Sequence, residues 1–376
     1  MRVLMTTDTV GGVWTYAIEL SRALEPHGVE VILATMGAPV SEHQWAQVNR
    51  LGNVRVRESA YKLEWMQDPW EDVARAGEWL LGLAERYQPD VVHLNGYAHG
   101  SLDWPAPVLV VGHSCVLSWW RAVKNEDAPD EWNRYRAAVT SGIRNADAVV
   151  APSDAMLREL RRFYAPLPPS RVIHNGRDAS LFCPREKEPF VLSAGRLWDE
   201  AKNLVALEAA SKELPWPTHV AGDERCPGGR GVRVRHTKPL GKLSEHDLAA
   251  WLGRASIYAL PARYEPFGLS VLEAALCGCA LVLGDIPSLR GIWEDAAFYV
   301  PPDDASALRH AIRTLIDDPA RRVQVMRRAR EHAVRYTTLR MAAAYVDTYR
   351  ELTSADCDRS TPETHTPEER PSACAS

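Results

Sequence analysis

One repeating pattern governs what this chain can fold into: short β-branched runs alternate with helical stretches along nearly its whole length. Val3-Leu4-Met5 and Val29 to Ala34 read as strands. Between them Val13, Ala17, Leu20 and Leu24 recur at spacings of four, three and four, the mark of one buried helical face. A second helix carries Val73, Ala76, Leu80, Leu83 and Tyr87, and leads through Pro89 into the strand Val91-Val92. Strands follow at Val108–Val111, Ala148–Val150 and Val172-Ile173. Such repetition calls for a parallel sheet covered by helices on both faces. The rhythm breaks at Tyr164–Pro169 and again at Phe182–Pro189, where prolines and charges suggest a linker. It then restarts: strand Phe190–Ser193, a helix from Asn203, strand His219–Ala221, helix Glu245–Leu252, strand Ile257–Leu260, a helix near Leu269, strand Ala280–Leu283.

With 376 residues the chain is too long for one compact core. The expectation is an α/β protein of two doubly wound units, residues 1–175 and 176–334, with the ligand site in the cleft between them. An arginine-rich helical stretch runs from about Ala320 to Leu352, its last part (about 335–352) expected to pack back on the first unit. Residues 353–376 lose apolar periodicity and are expected to be disordered.

Composition removes several classes of function. Forty-nine acidic against 44 basic side chains give a formal net charge of -5, which does not favour a nucleic-acid partner. Seven scattered cysteines form no C-x-x-C pair, so neither a zinc knuckle nor a disulfide framework is supported. The apolar N-terminal reach is only Met1 to Met5, and no run approaches a membrane-spanning length. A cytoplasmic protein is expected, with no membrane contact evident.

Three features suit a phosphate-bearing ligand. Gly11-Gly12 precede a helix, so backbone N–H groups can approach an anion at the positive end of the helix dipole, although a tight turn uses the same residues. Ser193-Ala194-Gly195-Arg196-Leu197 leaves a strand, and Lys202-Asn203 opens the next helix. Arg196 offers a planar fork and Lys202 a point charge at the strand ends where such sheets bind ligands. The third is Glu265-Pro-Phe-Gly-Leu-Ser-Val-Leu-Glu273, with Glu265 in a loop before a helix and Glu273 one turn into it. Capping explains either glutamate alone but not the pair around Pro266-Phe267-Gly268.

This last motif resembles the Glu-x7-Glu signature of family 4 retaining glycosyltransferases of the GT-B fold, which has two Rossmann-like domains. Gly195-Arg196-Leu197 with Lys202-Asn203 is similar to that family's G-R-L…K-N element. The likeness continues through Ala151-Pro152-Ser153, Ile173-His174-Asn175-Gly176, Ala221-Gly222-Asp223 and Val300-Pro301-Pro302-Asp303, covering residues 1 to 352. The resemblance implies a nucleotide diphosphate sugar as cosubstrate, retention of anomeric configuration, and no metal or other cofactor. Arg196 and Lys202 would neutralise the diphosphate and Glu273 would bind the ribose hydroxyls. Glu265 and the N–H groups of Phe267, Gly268 and Leu269 would hold the sugar and distal phosphate. Gly11 and Gly12 would close from the other side, and His113 would face the sugar's C6 hydroxyl and the reacting centre. One departure is that Arg196 and Lys202 lie one residue further apart than in most members, which makes Asp199 and Glu200 further candidates for the site.

The family weights the donor towards UDP-glucose or a related UDP-sugar, with GDP-mannose next, and the acceptor towards a hydroxyl of a sugar, lipid or small molecule. Nine of the 13 tryptophans fall at or before Trp132. Trp65, Trp70, Trp104, Trp119 and Trp120 are candidates for stacking on an acceptor, against the plainer reading that most are core. The acceptor loops would be Tyr61–Pro69, Asn95–His99 and Ser114–Asp130. Rival readings are a GT-B-fold nucleotide-sugar epimerase and a non-catalytic nucleotide-sugar binding protein.

Overall fold

In the computed structural model, which describes residues 1–224, 231 and 234–360, the first unit begins β1 (Arg2–Asp8), α1 (Gly12–Leu24), β2 (Glu30–Met36), α2 (Glu42–Val48), β3 (Val54–Glu58). It continues α3 (Trp70–Tyr87), β4 (Val91–Leu94), β5 (Val108–Val111), α4 (Val116–Lys124), α5 (Asn133–Asn145), β6 (Ala148–Ala151), α6 (Asp154–Tyr164) and β7 (Ser170–Val172). The second unit comprises β8 (Glu188–Ala194), α7 (Leu204–Ser211), β9 (Thr218–Ala221), β10 (Lys238–Gly241), α8 (Glu245–Arg254), β11 (Ala255–Leu260) and α9 (Leu269–Leu276). It ends with β12 (Ala280–Gly284), α10 (Pro287–Trp293), β13 (Phe298–Val300), α11 (Ala305–Asp317) and α12 (Pro319–Ala333), after which α13 (Thr338–Ser360) closes the described chain.

The strands form two parallel sheets, ordered β3-β2-β1-β4-β5-β6-β7 and β10-β9-β8-β11-β12-β13. Alternation along β1 shows how the apolar runs are used. Val3 and Met5 face α1 and α13, whereas Leu4 between them faces Ala76, Leu80 and Leu83 of α3. All three are fully buried, which is why the strand reads as an unbroken apolar run. Each sheet changes winding direction once, between β1 and β4 and between β8 and β11. The loops leaving those strands diverge and open a crevice at each sheet's carboxyl edge.

Where β8 and β9 end, a Cβ on Gly222 (φ +138°) would stand 1.7 Å from the Gly195 carbonyl oxygen, so only glycine lets these loops approach. At the start of α9, Gly268 takes the left-handed φ of +91° and turns the chain into the helix.

Two local expectations need correction, and between them one helix break finds its cause. Tyr164–Pro169 is not an interdomain linker: it joins α6 to β7 within the first sheet, and the Pro169 carbonyl accepts from Val149 N–H at 2.9 Å. The prolines there turn a helix back to the sheet edge, and the chain crosses between domains in residues 173–187. The helical stretch from Ala320 divides into α12 and α13 at residues 334–337, close to the expected start of the C-terminal helix at about 335. Arg177 N–H donates to the Tyr336 carbonyl at 3.1 Å, and a Cβ on Gly176 would stand 2.3 Å from Thr337 backbone carbon. This close crossing stops α12, and the Thr337 hydroxyl then restarts the helix by accepting from Arg340 N–H at 3.2 Å. Finally, α13 continues to Ser360, beyond the expected end at Leu352, because extending a formed helix costs far less than nucleating one. The rest of the tail expected to be disordered, residues 361–376, lies outside the described residues.

Helix α13 returns the chain to the first domain. Met341, Ala342, Tyr345, Val346 and Tyr349 form one stripe buried with Trp14, Tyr16 and Val3. The N-terminal core is therefore completed by residues from the far end of the sequence. Tyr345→Ala should cost about 3–5 kcal/mol in urea denaturation, the range for removing a buried aromatic ring. A loss below about 1 kcal/mol would show that α13 is not part of that core.

Candidate active site

The two crevices face one another across a cleft of about 1290 Å³ lined by residues of both domains. From the first domain come Gly11 and Gly12 after β1, Asn95 after β4 and His113 after β5; from the second come Arg196 after β8, and Glu265, Leu269 and Glu273 around the start of α9. The glycine pair opposes the second domain closely. A Cβ on Gly11 would lie 3.5 Å from Arg196 Nη1, and one on Gly12 would lie 3.9 Å from Leu269 Cδ1. Asp8 shapes this turn by accepting from Val10 and Gly11 N–H at 3.0 and 2.9 Å.

On the second domain each cation is paired with a carboxylate. Arg196 Nη2 donates to Asp199 Oδ2 at 2.8 Å, and Lys202 Nζ donates to Glu265 Oε2 at 2.5 Å. Phe267 buries its ring against His174 and Tyr336, so its backbone is the part the cleft can use. The first N–H groups of α9 have no partner within the helix by its geometry, and they open at the loop between Glu265 and Leu269.

His113 is oriented by a chain of polar groups. Asn95 Nδ2 donates to the Thr6 carbonyl at 2.7 Å, which leaves Oδ1 to accept from His113 Nε2 at 2.8 Å and from His93 Nε2 at 3.2 Å. His93 Nδ1 then accepts from the Tyr349 hydroxyl at 2.6 Å. Desolvation pushes the His113 imidazole down to about 3, so at neutral pH it is uncharged and Nδ1 is free to accept. The Tyr16 ring packs edge-on at 4.4 Å between centroids.

Two family models span this chain: Glycosyltransferase Family 4 matches residues 10–181 and Glycosyl transferases group 1 matches residues 183–332. A glycogen synthase of Mycobacterium tuberculosis is 30% identical over 386 residues, covering 90% of this chain and 91% of that protein. This chain belongs to the family 4 glycosyltransferases. Solved structures agree on its fold. Sucrose-phosphate synthase from Thermosynechococcus elongatus superposes with a TM-score of 0.77 at 22% identity, covering 94% of this chain and all of that one. Anabaena HepE in complex with UDP-glucose superposes at 0.75 with 17% identity over the same shares. The fold is GT-B, with two Rossmann-like domains.

In this glycosyltransferase the residue that reading the sequence missed is Arg177. Its side chain is 2% exposed in the crossing between domains and stands among three carboxylates. Nη1 is 3.4 Å from Glu19 of α1, Nη2 donates to Glu245 of α8 at 2.7 Å, and Nε is 3.0 Å from Glu273 of α9. Arg22 holds Glu19 from outside at 2.6 Å, and the Phe182 ring covers the guanidinium at 4.7 Å. No local pattern around position 177 announces partners so distant in sequence; a lone arginine in a loop reads as solvated.

The tryptophans divide. Trp65, Trp119 and Trp120 line the cleft, joined by Trp14, Trp132 and Trp198, which the sequence did not single out. Trp70 and Trp104 instead pack against the N-terminal core, and Trp104 Nε1 donates to the His99 carbonyl at 2.8 Å. Of the loop Asn95–His99, Asn95, Gly96, Tyr97 and His99 reach the cleft. Among the described residues no helix is long and apolar enough to cross a membrane.

Removing the buried guanidinium strands three carboxylates. Arg177→Met should cost about 3–5 kcal/mol at neutral pH by chemical denaturation, the range for breaking a buried pair from one side. The loss should shrink near pH 5, because burial raises the Glu19 and Glu273 carboxyls and favours their protonated forms there. An equal loss at both pH values would mean that packing, not charge, is what Arg177 supplies.

Proposed function

We propose that this glycosyltransferase is a retaining hexosyltransferase that moves a sugar from a nucleotide diphosphate donor to an acceptor hydroxyl. A UDP-glucose-like donor is favoured and GDP-mannose comes next. The observation that carries the reading is the convergence of Arg196, Lys202, Glu265 and the N-terminus of α9 on the Gly11-Gly12 turn and His113 across one cleft. The solved complex of HepE with UDP-glucose, on the same fold, supports the choice of donor.

In this reading Arg196, still held by Asp199 through Nη2, presents its other donors to the diphosphate, Lys202 turns to it from Glu265, and the two stabilise it as it leaves. They supply the positive charge, so the proposal includes no metal and no other cofactor. Backbone N–H groups of Phe267, Gly268 and Leu269 hold the distal phosphate at the helix dipole. Glu265, freed from Lys202, accepts from the sugar hydroxyls. Neutral His113 offers Nδ1 to the C6 hydroxyl. The bond from the anomeric carbon to the phosphate oxygen breaks, and the acceptor oxygen forms its bond on the same face. The acceptor proton passes to the departing phosphate oxygen, giving the nucleoside diphosphate and the retained glycoside. The acceptor, a sugar, lipid or small-molecule hydroxyl, approaches from the first domain, past Trp65, Trp119 and Trp120.

Glu273 is proposed to accept from the ribose hydroxyls. Burial drives its carboxyl up, Arg177 pulls it down, Glu245 and Glu19 push it up again, and the outcome is about 7. Folding thus favours the protonated form. The group's stabilising contribution is full below about 4.3, its unfolded value, and is lost as pH rises through about 7. Ribose binding needs the ionised form and so moves the other way.

A panel of UDP-, GDP-, ADP- and dTDP-sugars should resolve the donor by thermal shift. At a hundredfold excess over Kd the right nucleotide adds about 2.7 kcal/mol of stability. Affinity should rise with pH to a plateau above about 7, and Glu273→Gln should flatten that rise. Arg196→Ala should lower kcat by on the order of 10²–10³. Absence of a shift with every nucleotide sugar would reject the reading.

A further inference from the structure

The loop between Arg196 and Lys202, one residue longer than the resemblance leads one to expect, does more than span the gap. Asp199 lies within it, 6% exposed, with each oxygen committed. Oδ2 accepts from Arg196 Nη2 at 2.8 Å; Oδ1 accepts from Ala201 N–H at 3.0 Å and from Trp119 Nε1 at 3.1 Å. Trp119 belongs to α4 of the first domain, the helix proposed to meet the acceptor, whereas Arg196 belongs to the donor side. One buried carboxylate therefore joins the two halves of the cleft. Burial works against its charge, yet Arg196, Lys202 and its hydrogen bonds more than offset that and hold the carboxyl below its usual range.

The next residue makes a second crossing of a different kind. Glu200 Oε2 accepts from Lys124 Nζ of α4 at 2.6 Å, with the glutamate 56% and the lysine 33% exposed. An exposed pair of this sort contributes little, because water screens it and two long side chains must be ordered. The buried crossing is made by stiffer side chains and is attached to Arg196, and the exposed one is not.

We propose that Asp199 is a positioning residue that aims the Arg196 guanidinium and, through the Trp119 indole, makes that aim depend on how α4 is seated. An acceptor resting on α4 would then set the diphosphate clamp for departure, so that the sugar is released when a hydroxyl is in place to receive it. The idea rests on the reading of Arg196 as a diphosphate ligand.

Asp199→Asn keeps the shape, the cap on Ala201 and an oxygen for Trp119, but removes the charge that holds Arg196. Trp119→Phe keeps a ring and removes the indole N–H. With UDP-glucose, or whichever donor the panel selects, and a transferring acceptor, Asp199→Asn should lower kcat at least 30-fold while donor KM moves less than threefold. Trp119→Phe should lower kcat five- to tenfold. The double variant should fall no more than twofold below Asp199→Asn, because both changes act through one carboxylate. Lys124→Ala, which severs the exposed pair and takes the ammonium from over the Trp119 ring (5.9 Å to its centroid) but leaves the indole N–H bond to Asp199, should change kcat less than twofold.

A double variant whose loss is the product of the two single losses would overturn the coupling, as would an Asp199→Asn enzyme with near-normal kcat. An Asp199→Asn effect confined to donor KM would also overturn it, by making Asp199 a binding element and not a positioning one. Arg196→Ala separates this from the underlying reading: if that variant turns over normally, the assignment of Arg196 to the diphosphate has failed, whatever Asp199 does.

Discussion

Everything in the cleft depends on one buried guanidinium. Arg177 lies where the chain crosses between domains and faces Glu19 of α1, Glu245 of α8 and Glu273 of α9. Taking these charges out of water is expensive, and such a cluster is often no more stable than apolar residues of the same volume. What it supplies is alignment: three elements from two domains meet only where all three carboxylates reach one fork of donors. Apolar packing alone would tolerate sliding between the domains. The same arginine binds Glu273, so the residue proposed to take the ribose is oriented by the contact that aligns the domains.

The remaining charges are prepared in the same manner. Arg196 rests on Asp199 and Lys202 rests on Glu265, so the cations stay in the cleft without a ligand and are not drawn out to solvent. For Lys202 a diphosphate replaces one anionic partner with another, which costs less than desolvating a free cation, and Arg196 reaches it while still resting on Asp199. On the opposite wall, burial keeps His113 uncharged, and the chain through Asn95, His93 and Tyr349 decides which ring nitrogen accepts. That chain ends on α13, which links the C-terminal helix to the chemistry through hydrogen bonds as well as through the core.

The fold was largely legible because its signals are local. Val3 to Met5 are apolar without alternation because the sheet is covered on both sides, and that is visible in any window of the sequence. The glycine pair, Arg196, Lys202 and the two glutamates were legible for a related reason: each stands at a strand end or helix start, where short patterns carry the geometry. Arg177 was not, because its partners lie between 68 and 158 positions away and only folding brings them together. Tyr164–Pro169 misled because proline marks a turn without saying whether the chain then leaves the domain. The cause of the break at 334–337 was hidden, because the close approach of Gly176 comes from the linker and not from the helix. Asp199 was noticed as part of an unusual loop, but its bond to Trp119 depends on how the domains meet.

A crystal structure of the protein with UDP bound tests the central claim most directly. The account predicts the diphosphate within hydrogen-bond reach of Arg196 and Lys202, the ribose hydroxyls on Glu273, and Arg177 still among its three carboxylates. A nucleotide bound elsewhere, or bound in the cleft with its diphosphate away from both cations, would contradict it.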